Sequence, residues 1–261
     1  MAKNKTAYVC SECGADFTRW QGQCSECKEW NTITEVRLGS VSPAGKSARY
    51  TGYAGAVGSQ VQTLAEIATT EIPRFTSGFK ELDRVLGGGV VPGSAILIGG
   101  NPGAGKSTLL LQTMCGLAER MKTLYVTGEE SLQQVAMRAN RLGLPTDKLR
   151  MLSETSVEQI CLIAQQEQPQ IMVIDSIQVM HVADVQSSPG SVSQVREAAA
   201  LLTRYAKQNH VAIFMVGHVT KDGSLAGPKV LEHCIDCSVL LDGGHDSRFR
   251  TLRSHKNRFG A

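Results

Sequence analysis

The stretch SAILIGGNPGAGKSTLLLQT, Ser94 to Thr113, decides the fold. An apolar run from Ala95 to Ile98 passes into a glycine-rich loop and leaves it as a helical pattern from Thr108 onward. The loop reads G-x-x-x-x-G-K-S: Gly100, Asn101, Pro102, Gly103, Ala104, Gly105, Lys106, Ser107, with Thr108 next. A strand that feeds a helix through such a loop lets successive backbone N–H groups and the helix N-terminus cradle phosphate oxygens. Lys106 is then placed to reach the β- and γ-phosphates of ATP, and Ser107 to ligate Mg²⁺.

Outward from this loop, apolar runs alternate with helical patterns, as in an α/β doubly wound domain. KTLYVTGEE (Lys122 to Glu130) is expected as the second strand, followed by the helix SLQQVAMRANRLG with Arg138 and Arg141 on its polar side and a glycine stop. QIMVIDS (Gln170 to Ser176) and HVAIFMVGHVT (His210 to Thr220) are the third and fourth strands, with the helix SVSQVREAAALLTRYAKQ between them. CSVLLDG and FRTLRSHK are expected as later strands. Mg²⁺ needs a carboxylate anchor at a strand end, and Asp175 is the candidate, with an N-capping aspartate as the plainer role. Glu129 is the preferred base for orienting an attacking water, while Glu130 reads either that way or as a first-turn acid on the following helix.

The 261 residues are enough for one sizeable α/β core and a small appendage, and 42% apolar with 20% charged residues is ordinary for a globular chain. A net charge of +3 does not by itself announce nucleic acid. No long apolar run and no signal-like N-terminus occurs, so no membrane span is expected and the cytoplasm is the expected compartment. Of the eight cysteines, Cys10, Cys13, Cys24 and Cys27 form two C-x-x-C pairs in a segment too poor in apolar residues for a core of its own. Four thiolates can hold Zn²⁺ tetrahedrally and staple such a segment. Trp20 and Trp30 either cover the metal or stand exposed as docking aromatics. Residues 1–36 are therefore read as a zinc finger, 37–61 as a Gly/Ser-rich linker and 62–261 as the nucleotide-binding domain. A third pair, Cys234 and Cys237, runs into an apolar alternation and is read as core, as are Cys115 and Cys161.

Taken together, the finger CSECGADFTRWQGQCSEC, the entry SGFKELDRVLGGGVVPGS, the loop GGNPGAGKST, the strand end GEES and above all the terminal KNRFG (Lys256 to Gly260) resemble the RadA (Sms) DNA-repair and recombination proteins. The resemblance runs along the whole chain. It implies a RecA-like P-loop ATPase core with a mostly parallel sheet, and an ATP-driven motor that promotes branch migration of recombination intermediates and translocates on single-stranded DNA. It further implies a hexameric ring with nucleotide between subunits, a RecA-type recombinase as partner, and Lys256 and Arg258 reaching a neighbour's γ-phosphate. The family also carries a C-terminal domain resembling the Lon protease domain, which this sequence stops short of, so the chain is expected to be a fragment of a longer protein. The runner-up function is a zinc-bearing regulatory ATPase switch that does not move on DNA.

DNA contact is expected from loops after core strands. MHVADVQSSPGSVSQVR (180–196) is one, and TKDGSLAGPKVLEH (220–233) is the other, where Lys221 and Lys229 can neutralise backbone phosphates. His218, between a strand and that loop, is either a γ-phosphate sensor or a satisfied structural histidine.

Overall fold

A computed structural model of the chain describes residues 5–10, 16–26, 28–38, 63, 73–218, 231, 233–243 and 249–260. It divides into two compact units, 1–51 and 52–261.

In the first unit, β1 (Lys5–Cys10) pairs antiparallel with both β2 (Asp16–Phe17) and β3 (Ile33–Leu38). Its core is small: Cys10, Cys24 and Ile33 are buried, with Tyr8 and Phe17 packed against them. Trp20 and Trp30 are 56% and 67% exposed and flank Gly22 on the surface.

The second unit is a seven-stranded sheet in the order β10-β9-β4-β8-β7-β5-β6. The strands are β4 (Ala95–Gly100), β5 (Thr123–Thr127), β6 (Arg150–Ser153), β7 (Ile171–Asp175), β8 (Ala212–His218), β9 (Cys237–Asp242) and β10 (Thr251–Asn257). All pair in parallel except β10, which runs antiparallel to β9 along the sheet edge. Side chains alternate faces along each strand, so every central strand feeds two cores. Phe214 and Val216 of β8 pack with α1 (Lys80–Val85), α2 (Lys106–Ala118) and α3 (Leu132–Arg141). Ile213 and Met215 pack instead with α4 (Val157–Glu167) and α5 (Val192–Asn209).

The strands and long helices read from sequence are present, and Cys234 and Cys237 are buried core as expected. Among the elements not read from the sequence are α1, α4 and β6. β6 has only four half-exposed residues, and its existence depends on pairing with β5. β5 follows β4 in the chain, but β8 and β7 stand between them in the sheet, an arrangement that no local pattern encodes.

Candidate functional site

The loop after β4 is shaped by two glycines. Gly100 lies so close to β9 that a Cβ on it would sit 2.4 Å from the Leu241 carbonyl oxygen, which only glycine avoids. Gly105 opens α2 with φ +99°, a left-handed conformation, and gives the helix no side-chain cap. Ser131, Ser156 and Ser191, by contrast, cap α3, α4 and α5 through their hydroxyls. The first N–H groups of α2 thus point outward without an internal partner, which suits an anionic ligand.

Lys106 folds back across its own loop, its Nζ donating to the carbonyls of Gly100 (2.7 Å) and Asn101 (2.9 Å). Burial pushes its pKa down, opposed by the charges of Asp175 and Glu129. A cleft of about 300 Å³ opens between the loop (102–108) and the side chains of Glu129, Glu130, Arg138 and His218.

Asp175 ends β7 and is buried facing the loop. The Tyr125 hydroxyl donates to its Oδ2 at 2.5 Å, and the Ser107 hydroxyl also bonds to it. Burial pushes this carboxyl above the ordinary range, the two hydroxyls pull it down, and Glu129 and Glu130 push it up again. A carboxyl raised in this way favours folding while protonated; that contribution is whole below its unfolded pKa and is lost as pH rises through the raised folded value. A divalent cation held by Ser107 and Asp175 would offset the cost of the buried charge, and a hydroxyl beside a strand-end carboxylate is a donor pair suited to Mg²⁺. Tyr125→Phe keeps the volume and removes one donor. It is expected to move the acid limb of the hydrolysis pH profile up by about one pH unit; a profile superimposable on the parent would remove Asp175 ionisation as the cause of that limb.

The two adjacent acids at the end of β5 have different partners. Glu129 accepts a hydrogen bond from the Ser176 hydroxyl and lies 3.3 Å from His218 Nε2, while the His218 Nδ1 is buried with no hydrogen-bond partner among the described residues. Glu130 is ion-paired with Arg138 of α3. Ser131 and Gln134 form the reciprocal capping box of α3, so Glu130 precedes the cap and is not a first-turn acid. Arg138, read from sequence as a polar-face residue, turns inward, and its pKa is raised chiefly by the hydrogen bond to Glu130. It lines the cleft, and a purely periodic reading of the helix could not place it there.

The terminal KNRFG is firmly docked on its own subunit. Lys256 Nζ donates to the Ile235 carbonyl (2.8 Å), the Arg258 N–H to the Asp236 carbonyl (3.0 Å), and Arg258 Nη1 lies 3.4 Å from Asp236 Oδ1. The Phe259 carbonyl accepts from Arg74, and Gly260 lies against Gly87, so close that a Cβ on Gly260 would come 3.1 Å from the Gly87 Cα. Asp236 is bonded through its backbone N–H to the Ala95 carbonyl, at the start of β4, whereas the phosphate loop leaves the end of β4. Five residue steps of strand separate them, about 16 Å. Lys256 and Arg258 therefore stand at the opposite end of the sheet from the phosphate loop of the same chain. A different cation, Arg250, lies by that loop, its Nε 3.6 Å from where a Cβ on Gly105 would be; its position before β10 in the sequence carried no sign of this.

The remaining sequence candidates are separated by what the structure describes. Lys221 and Lys229 lie outside the described residues, as do Cys13 and Cys27. Cys10 and Cys24 are buried together in the first unit, and the Cys10 thiol donates to Thr32 Oγ1 at 3.3 Å. In the 180–196 loop the buried Gln194 side chain accepts from the Val182 N–H and donates to the carbonyls of Val182, Val185 and Ser187, so this loop is preformed. No helix among the described residues is long and apolar enough to cross a membrane.

A parallel sheet whose central strand ends in an uncapped glycine loop, opposed by a buried carboxylate two strands away, defines a RecA-like P-loop nucleotide-binding domain. Residues 61–224 match the AAA domain family, and residues 8–35 match the Rubredoxin metal binding domain. The chain belongs to the AAA domain family, with a zinc-ribbon module before it. It is 78% identical over 258 residues to the DNA repair protein RadA of Escherichia coli (strain K12), covering 98% of this chain and 56% of that protein. It is 58% identical to the DNA repair protein RadA of Pseudomonas aeruginosa over 263 residues, and 45% identical to that of Bacillus subtilis over 262, each spanning 100% of this chain and 57% of the relative. The resemblance carried by KNRFG and the finger thus holds along the chain, which spans a little over half the length of these curated relatives.

Proposed function

We propose that the chain is the ATP-hydrolysing part of a DNA-repair motor, acting on single-stranded DNA and branched recombination intermediates, with ATP cleaved at the interfaces of a hexameric ring. The observation that carries this reading is the location of Lys256 and Arg258 at the sheet end remote from their own phosphate loop. A basic fingertip so placed serves a site on another subunit, where it stabilises charge developing on the transferred phosphoryl group. Within one subunit, the loop from Gly100 to Thr108 holds the phosphates of ATP, and Lys106 exchanges its two carbonyl partners for β- and γ-oxygens. Ser107 and Asp175 hold Mg²⁺, which when bound neutralises phosphate charge. Glu129 orients the attacking water, since Glu130 is engaged by Arg138, and His218 beside Glu129 relays the state of the γ-phosphate. Cys10, Cys13, Cys24 and Cys27 hold Zn²⁺ in a finger spanning 1–36, joined through 37–61 to the ATPase domain of 62–261. Lys221 and Lys229 face DNA, a recombinase of the RecA type is a partner, and the compartment is the cytoplasm.

The deciding experiment is ATP hydrolysis with and without single-stranded DNA, measured first at low salt and then over a series of rising salt concentrations. Hydrolysis stimulated by DNA, with the stimulation falling steeply as salt rises, is the expected result. Hydrolysis indifferent to DNA at every salt concentration would favour the regulatory switch that does not translocate.

A further inference from the structure

We propose that Asp236 is the positioning residue of the Lys256 and Arg258 fingertip, holding Arg258 in the orientation in which it is offered to a neighbouring subunit. The inference rests on the trans role of Arg258 given above and adds to it a residue that neither the phosphate loop nor the KNRFG motif contains.

Asp236 stands between Cys234 and Cys237, just before β9, and is only 1% exposed. Its carboxylate gathers three elements. The Oδ1 and Oδ2 atoms accept from Lys207 Nζ on α5 at 2.8 and 2.9 Å. Oδ2 also accepts from the N–H of Ala95, the first residue of the phosphate-loop strand, at 3.0 Å. Oδ1 takes Nη1 of Arg258 at 3.4 Å, and the Asp236 carbonyl takes the Arg258 backbone N–H. Arg258 is thus held at its backbone and at one corner of its guanidinium, while 46% of its side chain remains exposed. A planar five-donor fork fixed at one corner keeps the remaining N–H groups free for a second anion in a defined direction.

A buried carboxylate with two cationic partners is commonly explained as packing alone. The two cations divide here by location. Lys207 is mostly buried and fixes α5 to the sheet, whereas Arg258 points its free edge at solvent. The bulge at His255 adds to this argument. Ser254 pairs with Val239 and Lys256 with Ser238, so one extra residue shifts the facing of β10 just before the motif, a device that re-aims side chains. The strand, its bulge and the clamp together set where Lys256 and Arg258 point.

The test compares five variants in the full chain, with ATP binding, KM and kcat measured for each. Asp236→Asn retains an acceptor for Ala95 but loses the negative charge that faces Arg258; kcat is expected to fall about 10²-fold, as for a misplaced reacting group, with ATP binding within twofold of the parent. Lys207→Met removes the other cation and tests structure alone: it is expected to lower the melting temperature as much as Asp236→Asn does, and to keep kcat near the parent value. The double variant Asp236→Asn/Arg258→Ala is expected to be no slower than Arg258→Ala, because two residues acting as one unit are not additive. If Asp236→Asn does not fold, Asp236→Glu, which keeps the charge but displaces it by one methylene, is expected to show the same loss confined to kcat. Equal loss of kcat in Lys207→Met, or an additive double variant, would make Asp236 a structural residue only. Full turnover in Arg258→Ala would overturn the trans fingertip itself, and with it this role, and is read from that single variant without reference to Asp236.

Discussion

Lys106→Ala is expected to remove nucleotide-dependent hydrolysis, by at least about 10²–10³-fold in kcat, the scale for losing one preorganised electrostatic group. The fold is expected to survive. In this loop the ammonium satisfies two backbone carbonyls, those of buried Gly100 and exposed Asn101, and among the described residues no side chain depends on it for a hydrogen bond. Lys106 is also a cation whose pKa burial lowers, so its removal relieves a desolvation cost as it removes two hydrogen bonds. Calorimetric unfolding checks this: the substituted protein melts within a few degrees of the parent and no longer gains stability from added ATP and Mg²⁺. Retained hydrolysis would sink the assignment of this loop to the phosphates.

Arg258→Ala is expected to depress turnover by about 10³-fold or more, the range for an arginine supplied across an interface, with ATP affinity nearly unchanged. The geometry separates the two parameters. The loop proposed to bind ATP lies at one end of β4, and Arg258 at the other, so its loss leaves those elements of its own subunit untouched. A mixture with Lys106→Ala protein then distinguishes trans from cis action. One variant contributes an intact loop and the other an intact fingertip, so some interfaces in the mixture are complete and activity rises above that of either protein alone. No rise at any ratio would place the effect of Arg258 within its own subunit.

Much of the phosphate site was legible because its signal is local. G-x-x-x-x-G-K-S specifies a loop, a strand before it and a helix after it, and Asp175 was recoverable as the acid ending a buried apolar run. Tyr125 and Arg138 were not, because their roles depend on sheet order. β5 and β7 are neighbours in space, which brings the Tyr125 hydroxyl to Asp175 across a span of fifty residues. Arg138 looked solvent-facing on a helical wheel, and only the cleft beside Glu130 makes its inward turn worthwhile. Asp236 was hidden for another reason: it sits inside a C-x-x-C that invites attention to its sulfurs, while its partners come from α5, β4 and the terminus. The short edge strand β6 carries too few apolar residues to register as a pattern.

The fingertip's attachment governs how any assembly that uses it can move. Lys256 and Arg258 are carried on a strand laced to β9, itself laced to β4, and not on a flexible arm. The strand between the phosphate-loop end of β4 and the end at which Asp236 holds Arg258 is a stiff rod of roughly 16 Å. A rod of fixed length cannot take up slack between neighbours, so a subunit that releases or engages the next nucleotide must turn as a whole. The stride of such a machine is set by the sheet.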